Sequence, residues 1–144
     1  MKAKVTAFAI VGLAAIGGCY QLAAQSESRS VWDGVYTEAQ ATRGQPLYIQ
    51  HCASCHDETL AGRDEAPALA GSDFLSNWTG LTLGDLFERM RTSMPLNNPG
   101  TLGRPVMSDI LAYILSVNKF PAGKADLPTQ TEVLRLIHID PAKQ

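Results

Sequence analysis

The chain has 144 residues, 45% hydrophobic and 18% charged, with a formal net charge of −2. This is ordinary globular material for one domain around one core, and a second domain would be crowded. The slightly acidic balance argues against nucleic acid as a partner and leaves no dominant basic docking face.

In chain order, MKAKVTAFAIVGLAAIGGCYQLAAQ comes first, with Lys2 and Lys4, an apolar run from Val5 to Ile16, and then small residues. The run is nearer the length of a secretory signal than of a membrane span, which speaks against an uncleaved anchor helix. Its end has two readings. Ile16-Gly17-Gly18-Cys19 resembles a bacterial lipobox, which would remove residues 1–18 and leave Cys19 as a lipidated N-terminus. Leu22-Ala23-Ala24 would serve as an ordinary cleavage site and remove residues 1–24. Either way the mature protein is expected in the periplasm, and at a membrane only if Cys19 is lipidated. Residues 25–36 read as an N-terminal linker.

A first helix is expected from Glu38 to Cys52, with Thr37 and Gln40 as a capping box. Pro46 lacks an amide hydrogen and costs about 3 kcal/mol inside a helix, so a bend is expected between Gly44 and Pro46. The helix runs into His51-Cys52-Ala53-Ser54-Cys55-His56, which holds two of the three cysteines and two of the three histidines of the chain. A disulfide closing so small a loop would add little stability. A thioredoxin-like redox pair needs the motif between a strand and a helix in a βαβ pattern, and no such alternation is visible. Structural zinc needs four ligands, and beyond this cluster the only other histidine is His138. What remains is C-x-x-C-H as a c-type haem attachment site. Cys52 and Cys55 would form thioethers with the two vinyl groups of one porphyrin edge, and His56 would ligate iron. His51 lies at a helix end, where a cation would suit the carbonyl dipole, and nothing requires it to bind metal.

Filling of the sixth iron position decides between electron transfer and small-molecule chemistry. Thr82-Leu83-Gly84-Asp85 reads as a capping box, and Leu83, Leu86, Phe87 and Met90 then form an apolar stripe opposite Glu88, Arg89 and Arg91. Met90 therefore belongs to the core. Met94 precedes Pro95, which ends the helix and biases Met94 towards extended backbone, where a thioether can be aimed at a metal. Met107, before the last helix, is the reserve candidate, and an ordinary loop methionine is the bland reading of Met94.

With these residues in hand, the chain resembles a class I c-type cytochrome from about Thr37 to Phe120. The resemblance implies an all-α cytochrome c fold, three to five helices around one covalently bound haem. The domain would span 37–123, with a C-terminal tail, 124–144, packed on it. It further implies that Gly44 and Tyr48 meet the last helix, Ser108 to Val117, at Ile110, Leu111, Tyr113 and Ile114. In the loop Glu65 to Gly71, the Pro67 carbonyl would accept a hydrogen bond from the far ring nitrogen of His56. Trp78 would lie against the haem with its indole N–H towards a propionate, or else be a core Trp with a backbone partner.

The flanks Val31 to Glu38 and Phe120 to Gly123 are similar to those of small cytochromes that accompany quinoprotein (PQQ-dependent) dehydrogenases. Tryptophan-docking repeats and a quinone-site segment are missing, so this chain is not expected to be the dehydrogenase. The implied role is a single-electron carrier rather than an enzyme, without catalytic residues and with His56 and Met94 as axial ligands. Its partners would be a redox donor such as a quinoprotein dehydrogenase and an acceptor such as a terminal oxidase or another cytochrome. The rivals are a haem enzyme or gas sensor with an open sixth position, and a fixed cytochrome subunit of a dehydrogenase complex. In the tail, Val133, Leu134, Leu136, Ile137 and Ile139, interrupted by Arg135 and His138, fit a short helix or an extended segment equally well.

Overall fold

Thr37 starts the first long helix, α1 (Glu38–His51), where its Oγ1 accepts the Gln40 amide at 3.0 Å. The other half of the expected capping box is absent because Gln40 turns inward. Its side chain is buried, accepting from the Leu127 amide at 2.6 Å and donating to Ser108 Oγ at 3.1 Å. A buried amide needs such partners, and here they tie three distant stretches together. α1 runs through Pro46 without ending. The Thr42 carbonyl, whose helical donor Pro46 cannot supply, lies on the exposed side, where water can serve it.

The computed structural model describes residues 27–142. The expected export signal, with Cys19 and its two alternative endings, lies outside the described residues. After α1 come α2 (Ala53–His56), α3 (Gly71–Trp78), α4 (Leu83–Ser93), α5 (Arg104–Val117) and α6 (Thr131–Leu134). Two of these six, α2 and α6, have only four residues each, so four longer helices carry the all-α fold. None is long and apolar enough to cross a membrane. α5 begins four residues before Ser108, with Pro105 in its first turn, so Met107 lies inside it rather than ahead of it.

α1 crosses α5, and Gly44 sets how closely. A Cβ at Gly44 would stand 1.9 Å from the Asp109 carbonyl oxygen, so the backbones touch there and no side chain fits. One turn on, Tyr48 is fully buried, 5.4 Å between ring centroids from Tyr113, and its hydroxyl donates to the Asp57 carbonyl at 2.7 Å. Burial pushes the Tyr48 phenol well up, so it stays a donor. α4 starts with the expected reciprocal box: Thr82 accepts the Asp85 amide at 3.2 Å and Asp85 accepts the Thr82 amide at 3.0 Å. Its stripe of Leu83, Leu86, Phe87 and Met90 is buried.

Residues 29–36, expected as part of a linker, place Val31, Val35 and Tyr36 in the core. The Tyr36 hydroxyl donates to the Phe120 carbonyl at 2.6 Å. The tail is both helical and extended: α6 is followed by β2 (Ile137–His138), which pairs in parallel with β1 (Arg29–Ser30). Leu127, Leu134, Ile137 and Ile139 are buried, so the tail closes the core.

Candidate functional site

The C-x-x-C-H stretch bends because the chain cannot continue helically through Cys52, whose backbone departs from helical angles. α2 then makes one turn, with the His56 amide donating to the Cys52 carbonyl at 2.9 Å. This turn brings Cys52, Cys55 and His56 to one edge of a cleft of about 1370 Å³. Every residue picked from the sequence lines this cleft: the two cysteines, His56, Pro67, Trp78, Met94 and Met107. Met90 and His51 line it as well.

His56 is 7% exposed, and its Nδ1 lies 2.8 Å from the Pro67 carbonyl oxygen. A carbonyl only accepts, so Nδ1 carries the proton and the lone pair of the neutral ring is at Nε2. Pro67 is placed by a local ladder. The Arg63 amide donates to the Ala66 carbonyl at 3.1 Å, the Ala66 amide to the Arg63 carbonyl at 2.8 Å, and the Leu69 amide to the Leu60 carbonyl at 2.8 Å. The loop is also closed at its start, where the Gly62 amide donates to the His56 carbonyl at 3.0 Å.

Cys52 is half-buried and Cys55 exposed. Burial, with a smaller contribution from Cys55, pushes the Cys52 thiol up to about 11. Among the described residues no group of three or more His, Cys, Asp or Glu side chains is arranged to hold a metal ion.

Across the cleft, Met94 caps α4 in extended conformation, φ −122° and ψ 152°, as its proline neighbour requires. It is half-buried, whereas Met90 and Met107 sit within helices and are 8% and 2% exposed. All three methionines line the cleft, and they differ in backbone: Met94 alone is outside helical geometry. Leu86, Met90, Ile110 and Ile114 form an apolar floor, while Arg63, Arg89, Asn77 and Asn98 sit at the polar mouth. Trp78 ends α3 half-buried. Its indole N–H has no partner among the described residues, whereas Trp32 donates to the Asp140 carbonyl at 3.0 Å. An apolar slot with two thiols and an imidazole on one edge, a thioether on the other wall and polar groups at the mouth fits a haem.

Sequence reasoning did not find Leu81 and Leu96, both exposed and both lining the cleft. Neither stands in a motif, and only the folded chain brings them to the site.

The family model described as "Cytochrome C oxidase, cbb3-type, subunit III" matches residues 39–114, more than half of the chain. No curated protein matches. Among solved structures, the chain is similar to one titled "Crystal Structure of the Sulfane Dehydrogenase SoxCD from Paracoccus pantotrophus", with a TM-score of 0.50 and 22% identity. The match covers 75% of this chain and 61% of that one, so this chain spans less than two thirds of its neighbour and shares the fold. Since the family match runs from the start of α1 through the C-x-x-C-H stretch and Met94 into α5, the chain belongs to this cytochrome c family and is a small class I c-type cytochrome.

Proposed function

We propose that this chain is an exported single-electron carrier that holds one haem through thioethers at Cys52 and Cys55, with His56 Nε2 and the Met94 sulfur as axial ligands. The observation that carries the reading is the 2.8 Å contact between His56 Nδ1 and the Pro67 carbonyl, in a cleft lined by both thiols and Met94. When bound, the haem supplies a one-electron Fe(III)/Fe(II) couple. The carbonyl orients the imidazole and fixes its tautomer, as hydrogen-bonded partners of metal ligands do. A Met94 thioether that held the iron together with His56 would favour a high potential. The apolar floor excludes water, and Trp78 has an unpartnered indole N–H to offer a propionate. No bond in a substrate is made or broken, so the protein acts as a carrier rather than an enzyme.

The periplasm is the location this chemistry requires, soluble if residues 1–24 are removed and membrane-attached if Cys19 is lipidated. The donor is proposed to be a periplasmic dehydrogenase, of the quinoprotein class by its flanking sequences, and the acceptor an oxidase or another cytochrome. A fixed subunit role is the second reading, favoured because the family description names an oxidase subunit and the solved neighbour is titled as a dehydrogenase. Purification from the periplasm of the native host separates the two: a free carrier runs alone, and a subunit co-purifies. The ferric protein should be low-spin with the weak far-red sulfur-to-iron band. A high-spin ferric spectrum, unaltered in Met94→Ala, would sink the assignment of Met94 and with it the carrier reading.

A further inference from the structure

The cleft wall between α3 and α4 is thin. Trp78 and Leu81 line the cleft, yet Leu81 is 44% exposed and nothing packs against the position where a Cβ would stand at Gly80. Its own backbone contributes few bonds, notably Thr79 amide to Leu75 carbonyl at 2.9 Å and Leu81 amide to Trp78 carbonyl at 3.0 Å. Such a stretch, left to itself, belongs to the low-stability end of a fold.

What secures it comes from the far end of the chain. The Gly80 amide donates to the Ile139 carbonyl at 3.1 Å, and the Ile139 amide donates to the Leu81 carbonyl at 2.9 Å. Ile139 is itself fully buried, so this pair of bonds is anchored in the core. The next residue is held too, because the Trp32 indole donates to the Asp140 carbonyl at 3.0 Å while packing edge-on against Phe120, with centroids 4.9 Å apart. On the other side of Ile139, β2 is paired with β1.

We infer that Ile139 is a positioning residue for the cleft: the C-terminal strap, latched by Trp32, holds the wall Trp78–Leu81 shut over the haem. The inference rests on the reading that a haem occupies this cleft. Release of the strap at Ile139 frees both wall bonds at once, so opening of the wall and fraying of the tail are one event. Entry of small ligands and water into the cleft past Trp78 and Leu81 is then tuned by residues that do not line it.

The test uses the haem-loaded protein in four forms: the full chain, a chain ending at His138, a control ending at Asp140, and Trp32→Phe. The ring of Trp32→Phe still packs on Phe120 but cannot donate to Asp140. Covalent haem is checked in each by the pyridine haemochrome. The rates read are imidazole binding to the ferric form and exchange of the Gly80 amide. Loss of two backbone bonds and a buried anchor should speed both by about tenfold in the His138-ended chain. Trp32→Phe should speed both by less, and the Asp140-ended control should match the full chain. Haem-loaded, His138-ended protein with both rates unchanged would overturn the inference while leaving the haem reading intact. Should that chain not fold, unchanged rates in Trp32→Phe overturn it instead. A full chain without covalent haem overturns the functional reading and this inference together.

Discussion

On the histidine side of the cleft, Cys52 to Pro67 form a short, self-bonded unit in which His56 is buried and its ring is fixed by a carbonyl eleven residues away. On the methionine side, Met94 leads into residues 95–103, where Leu96 is 76% exposed and the stretch Leu96–Thr101 is exposed throughout. That loop holds itself by little more than the Asn98 amide on the Pro95 carbonyl at 2.9 Å and the Thr101 hydroxyl on the Asn98 carbonyl at 2.8 Å. The difference teaches that the two proposed iron ligands are not equally secured. The His56 imidazole is placed by the fold, whereas the Met94 thioether is delivered by a loop and, on that proposal, should be the ligand that exchanges.

The largest effect should come from the histidine side. Cys52→Ala with Cys55→Ala should abolish covalent haem and leave the chain largely unfolded by circular dichroism, as expected when a cofactor organises a small core. A well-folded, haem-free double variant would contradict the weight given to this side.

Next is the helix crossing behind it. Gly44→Ala places a methyl 1.9 Å from the Asp109 carbonyl, so α1 and α5 must part. The loss should be about 3 kcal/mol by denaturant titration, at the upper end of overpacking effects. A cost below about 1 kcal/mol would mean the crossing is slack, contrary to close packing.

On the methionine side, Met94→Leu should erase the far-red band and let carbon monoxide bind the ferrous form readily, with the haem still attached. Met90→Leu and Met107→Leu conserve volume in packed helices, and each should cost less than about 1.5 kcal/mol with the spectrum unchanged. If Met107→Leu erased the band and Met94→Leu kept it, the comparison would be reversed, because the ligand would then come from a rigid helix.

The smallest effect is on acid stability. Thr82 holds the Asp85 carboxyl below its ordinary value of 3.8, helped by the nearby charges of Arg135 and His138. Arg91, with Thr131 and the charge of Arg104, holds Glu88 below its ordinary 4.5 despite some desolvation. Both groups bind protons less readily folded than unfolded, so their stabilisation is present above those ordinary values and is lost as pH falls through the lowered ones. The unfolding midpoint should hold steady from neutral pH down to about 5 and then decline. Asp85→Asn and Glu88→Gln should flatten that decline.

Much of the site was legible in the sequence for a local reason. C-x-x-C-H lies within one helical turn and a bend, and the Thr82 and Asp85 box and the stripe ending at Met90 repeat at helical spacing. Such patterns depend on neighbours along the chain. Gly44 and Pro67 were legible only through resemblance to a family, since nothing in their own surroundings announces a helix crossing or a carbonyl aimed at a histidine. The Thr37 and Gln40 box was half misread because Gln40 found better partners in Ser108 and Leu127, 68 and 87 residues away.

What the sequence determined by itself is the chemistry: the thiol pair, the histidine beside it, the proline that frees Met94 from its helix, and the helices that carry them. Only the tertiary structure decided that residues 29–36 join the core, that three methionines line one cleft, and that Ile139 bonds Gly80 and Leu81. Backbone hydrogen bonds between distant segments carry no signature in residue type, because every residue but proline offers the same amide and carbonyl.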